Sequence, residues 1–246
     1  VYDYDNLVNF KGTTRFVNNH ASVFGGAIDV WGGQATVVFS GDTTFDGNYV
    51  SYSPWSGNEY LNPRHVNDQH ARGGAINIGY ISSAGSGTSV TFDGVSTFAN
   101  NYVLSTGNAS NNRNALGGAI SVYGNNATQD YRLTFNAGAT FRNNYVYAVN
   151  GPGYGGAISY DTGGAVLDLA AGTLFESNYA STAGGAIYLQ AGTINLNADG
   201  GDITFRENRH RAAFDPANKT IAGSGTPNAI YLGSGGSLNL AAAAGG

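Results

Sequence analysis

The chain has 246 residues, of which 38 are Gly and 28 Asn, with no Cys and no Met. Gly at roughly twice its ordinary ~7%, only 5 Pro and no G-X-Y period exclude collagen, and Gly and Asn are poor helix formers, so a β protein with many turns is expected. The net charge of −5, the 11 Lys and Arg without a basic cluster, and the absence of any apolar run near ~20 residues argue against nucleic-acid binding and against membrane insertion of this segment.

Two short strings alternate along the chain. F-x-x-N comes first, at Phe16 and Asn19, and G-G-A-I follows, opening at Gly25 and Gly26. Phe45 and Asn48 precede Gly73 and Gly74; Phe98 and Asn101 precede Gly117 and Gly118. Phe141 and Asn144 lead to Gly155 and Gly156, and Phe175 and Asn178 to Gly184 and Gly185. Phe205 and Asn208 close the series, followed by a decayed copy, Pro227-Asn228-Ala229-Ile230. Self-similarity at 20 to 50 residues marks a solenoid, propeller or array.

After each motif Ile the pattern has period two: Val30, Ile78, Val122, Tyr160, Leu189 and Leu232 stand two residues on. That alternation predicts a strand with one buried face. A second strand is predicted at Val37 and Phe39, Val90 and Phe92, Leu133 and Phe135, Leu167 and Leu169, Ile194 and Leu196, and Leu238 and Leu240. A third, very short one ends at each motif Phe. The Phe-to-Phe steps are 29, 53, 43, 34 and 30 residues. The excess falls mostly between the motif Asn and the next G-G-A-I, and predicts inserts at 49–72, 102–116, 145–154 and 209–226.

Three strands per turn of about 27 to 30 residues suit a right-handed parallel β-helix, a solenoid of six three-stranded coils with loops inserted at one corner. A propeller blade needs four strands in ~40 to 45 residues, more than the shortest repeat holds. The whole of 1–246 then forms a single domain. Gly-Gly supplies the sharp corner, Phe and Ile fill the interior, and the motif Asn residues stack and pass amide hydrogen bonds along the rod. These motif residues are expected to be structural.

The alternating F-x-x-N and G-G-A-I strings resemble the repeats of the chlamydial polymorphic membrane proteins, and the resemblance covers essentially the whole chain. Asn228–Leu232 and Ser237–Ala242 are similar to that family's later coils. The lack of Cys and the degenerate sixth G-G-A-I depart from the pattern. The resemblance implies an autotransporter passenger at the bacterial cell surface, attached to the outer membrane or secreted. It also implies adhesion to host cells, with self-association into a homo-oligomer. With no leader ahead of Val1 and an end in mid-coil, the chain reads as part of a longer passenger. A stalk or spacer role is the alternative, and a polysaccharide lyase or hydrolase a third.

The predicted binding surface is the longest insert, which carries Tyr49, Tyr52, Trp55, Tyr60, Arg64 and His65, residue types that dominate binding hot spots. A host receptor protein or a glycan is the expected partner. The same aromatics could instead fold back on the rod. Tyr49, Tyr102, Tyr145 and Tyr179 each follow a motif Asn, and form either an exposed aromatic ladder or a stack that seals the corner. Only three Glu are present, the Asp residues are scattered, and no nucleophile motif or metal-ligand set appears. Neither a catalytic residue nor a metal or cofactor is expected.

Overall fold

In the computed structural model, the described residues are 6–31, 34–52, 70–80, 87–106, 114–124, 130–215, 218, 220–222 and 225–241. No helix is present among them, and each repeat is one coil of a parallel β-helix. The sequence motifs set the register of the coils. Motif Ile pairs with motif Ile, from Ile28 through Ile76, Ile120, Ile158 and Ile187 to Ile230. Motif Phe pairs with motif Phe, from Phe16 through Phe45, Phe98, Phe141 and Phe175 to Phe205.

The Phe rings stack in parallel at centroid distances of 4.7, 4.9, 4.9, 4.6 and 4.8 Å. A second column, Phe10, Phe39, Phe92 and Phe135, stacks at 4.7, 4.5 and 4.8 Å. The two columns meet edge to face, as at Phe92 and Phe98, 5.5 Å apart at 83°. Strand spacing of about 4.8 Å imposes the parallel stacking, and the ring quadrupole favours the perpendicular contact between columns. Leu169 and Leu196 continue the second column in register where Phe ends. Ile, Val and Leu of the first two strands complete this core.

Buried amides run beside the Phe stack. Asn48, Asn101 and Asn144 are fully buried. Asn101 Nδ2 donates to Asn144 Oδ1 at 3.0 Å and to the Phe45 carbonyl at 3.0 Å. Its Oδ1 accepts from the Asn48 backbone N–H and from Asn48 Nδ2, both at 3.0 Å. The pattern repeats from Asn19 to Asn208. Each buried amide is thus satisfied at both ends, which an isolated buried Asn would not be.

The two glycines of each corner answer to different constraints. The first, at Gly25, Gly73, Gly117, Gly155 and Gly184, has φ between 52° and 69°. The second lies against other backbone: a Cβ on Gly74 would stand 2.0 Å from the Gly118 carbonyl oxygen and 2.7 Å from the Tyr102 backbone. Only the first needs glycine's conformational freedom; the second needs its lack of a side chain.

A coil holds more strands than the three predicted. The chain stays extended after the motif Asn, at His20–Ala21, Tyr49–Tyr52, Tyr102–Ser105, Tyr145–Ala148, Tyr179–Ala180 and Arg209–His210. A two-residue strand precedes the glycines at Ala71–Arg72, Ala115–Leu116 and Gly153–Tyr154. Val50, Val103, Val146 and Ala180 pack with Ala71 and Ala115 between these layers as a second, smaller core. The stretches 49–72, 102–116 and 145–154 therefore begin and end in strand. The predicted alternation stopped at the motif because these strands offer only one or two inward residues each. In the last coil the returning chain, Thr226–Pro227, pairs antiparallel with Arg209–His210.

Candidate functional site

Because the flanking strands stack in register, the inserts that follow the Tyr strands all start from one corner and end just before Gly-Gly. The connection is two residues in coil five, Ser181 and Thr182, between Ala180 and Ala183. In the second coil it runs from Tyr52 to His70. Tyr49 and Tyr52 are half-buried, Tyr49 stacking on Tyr102 at 4.8 Å and on His20 at 4.4 Å. Trp55, Tyr60, Arg64 and His65 lie outside the described residues.

The four tyrosines form the sealing stack rather than an exposed ladder. Tyr102, Tyr145 and Tyr179 are buried and cluster with Leu104, Tyr147 and Ala212. Burial raises all the shifted phenols here: Tyr179, helped by the neighbouring Tyr147, is pushed up to about 12, and Tyr145 goes higher. A neutral phenol is the form this layer accommodates. Tyr179 Oη donates to the Ala212 carbonyl at 2.6 Å, pinning the start of the last insert.

On the far side of the glycine corner the chain doubles back over the outer face of the Ile strand. The column before the glycines is Phe24, Arg72, Leu116, Tyr154 and Ala183. It meets Trp31, Tyr123, Asp161 and Tyr188. The Arg72 guanidinium lies 3.3 Å from the Tyr123 ring centroid and 5.4 Å from that of Phe24. Only 1% of Arg72 is exposed. Stacking on aromatic faces suits a planar, weakly hydrated guanidinium. Burial raises the Asp161 carboxyl, and the Arg72 charge opposes that rise. Tyr154, Tyr188 and Tyr231 continue the seam as a stack with centroid distances of 4.3 and 5.0 Å. Beneath it Ser121 and Ser159 are buried, small enough to admit the larger side chains above.

Sequence reasoning set Arg72 within the insert and missed the rest of this seam. The signal lay in a column, the residue before each Gly-Gly, that is visible only once the repeats are aligned. It also missed a second insertion point between the first and second strands, where Tyr80 is separated from Ser89 and Gly124 from Arg132. Glu176 sits between Arg142 and Arg206, at 2.7 and 2.5 Å, and Asp168 holds Arg132 at 2.5 Å. Among the described residues no three His, Asp or Glu side chains gather as a metal site would need.

Residues 172–190 fit the sequence model of the Chlamydia polymorphic membrane protein repeat. No curated protein and no solved structure matches the chain. The matched stretch holds Phe175, Asn178 and Gly184-Gly185-Ala186-Ile187, and its Phe and Ile stand in register with their counterparts on both sides. Residues 172–190 therefore hold a repeat similar to that of the chlamydial polymorphic membrane proteins.

Proposed function

We propose that the chain is an adhesive segment of a bacterial surface passenger, binding a host-cell receptor protein or glycan through the inserts and the seam beside them. The observation that carries this reading is the corner between the Tyr strand and Gly-Gly, from which the inserts of successive coils leave in register, beside the half-buried Tyr123 and Tyr154. A rigid scaffold presenting variable loops on one edge is a common design for recognition. The longest insert is rich in Trp, Tyr and Arg, the residue types that make such surfaces bind. The motif residues serve this function indirectly: with Phe98, Asn101 and Gly118 inside the coil, they hold the loops rather than touch a partner.

The burial of the Tyr stack and of every central motif Asn favours a second reading, in which these coils space other adhesive coils from the membrane. Incubating the purified chain with host cells separates the two. Saturable binding, competed by unlabelled chain, is expected of the adhesin; folded chain that fails to bind at any concentration leaves the spacer.

A further inference from the structure

A second concave surface lies where the second strands end. It is a cleft of about 480 Å³, lined on its polar side by Thr134, Asn136, Asp168, Asn195, Asn197 and Asn239. Its size falls within the ~300–1,000 Å³ of ordinary ligand pockets. Thr134, Asp168, Asn195 and Asn239 occupy one register position in four neighbouring strands. Their side chains form a row along the rod with one step per coil, about 4.8 Å.

The row is polarised. Asn239 Nδ2 donates to Asn195 Oδ1 at 2.9 Å, and Asn195 Nδ2 donates to Asp168 Oδ1 at 2.7 Å. Arg132 neutralises the Asp168 carboxylate from the other side. Each Asn of the row thus gives one N–H to its neighbour and keeps a second. Asn239 Oδ1 and Asn197 Nδ2 have no protein partner among the described residues, while Asn197 Oδ1 accepts from the Asp199 backbone N–H at 3.1 Å. Ala170 and Ala241 supply apolar wall beside these amides.

Such a surface offers donors and acceptors in alternation, no net charge and a narrow apolar strip. A hydroxyl both donates and accepts, and a sugar ring carries hydroxyls on its rim and C–H groups on its face. An anion would meet no uncommitted cation here. We infer that this cleft binds a neutral oligosaccharide lying along the rod axis, its hydroxyls hydrogen-bonded to the Asp168–Asn195–Asn239 row and to Asn197. The site is separate from the insertion corner and does not rest on the adhesive reading of the inserts.

Side-chain amide NMR of the whole chain, titrated with lactose, maltotriose and mannobiose at millimolar concentration, tests this. Saturable shifts at Asn195, Asn197 and Asn239 are expected with at least one saccharide. Asn197→Ala, an exposed position outside the row, should weaken binding about 3- to 10-fold, the worth of one hydrogen bond. Asn195→Leu should remove it, with thermal unfolding of both variants recorded to show retained fold. Joining Ser51 to Ala71, which deletes the second coil's insert, should leave saccharide binding unchanged. No shift with any of the three sugars, shifts confined to the insertion corner, or unaltered binding by folded Asn195→Leu overturns the inference. Sugar binding lost with the insert would instead assign it to the loops.

Discussion

The third residue of every F-x-x-N string has a left-handed backbone: Asn18, Gly47, Asn100, Asn143, Ser177 and Glu207, with φ between 54° and 66°. Asn and Gly tolerate this region; a longer side chain pays roughly 1–2 kcal/mol for it. Glu207→Gly is therefore expected to stabilise the chain by about 0.5–1 kcal/mol after the unfolded-state entropy of Gly is set against it. A rise in the urea midpoint with unchanged slope would show it. Gly74→Ala should cost about 3 kcal/mol or more, since its Cβ meets backbone that has nowhere to move. Asn101→Ala should cost a similar amount, about 3 kcal/mol, by leaving the Asn48 N–H and the Phe45 carbonyl buried without partners. The roles of Phe, Ile and the motif Asn were legible in the sequence because their spacing fixed both period and face. The second glycine's role was not, because it depends on a backbone, that of Tyr102, nearly thirty residues away in sequence.

At the scale of the element, the Tyr strand was the part the sequence concealed. Its first residue was visible as a recurring Tyr, but two to four residues give too little alternation to announce a strand, and the insert that follows masked its end. Its consequence is a pH dependence. The ordinary phenol value is 10.0, and burial raises Tyr179 to about 12 in the folded chain. The unfolded chain therefore ionises first. The contribution of this layer is complete below pH 10 and is lost as pH rises from there towards about 12. Urea midpoints should be flat from neutral pH up to that window and fall within it. Phenolate absorbance should show buried tyrosines ionising only as the fold is lost. Free titration of every Tyr in the folded chain near pH 10 would mean that the stack is open to water.

For the whole molecule, the division of labour is between coils that build and inserts that differ. The coils are nearly interchangeable in register, so each can carry a connection of any length at the same corner, as coil five does with two residues and the second coil with the span from Tyr52 to His70. Loop length costs little in such a frame, because closure entropy grows only slowly with length. Joining Ser51 directly to Ala71 recreates the short connection of coil five, keeps Ala71–Arg72 and trims only Tyr52 from the Tyr49–Tyr52 strand. The most direct test of the account is host-cell binding by this shortened chain beside the parent, each shown to be folded by its β-sheet circular dichroism and a cooperative melt. The account predicts that the shortened chain keeps the melt of the parent and loses most of its cell binding. A shortened chain that folds as well and binds cells as strongly would contradict it.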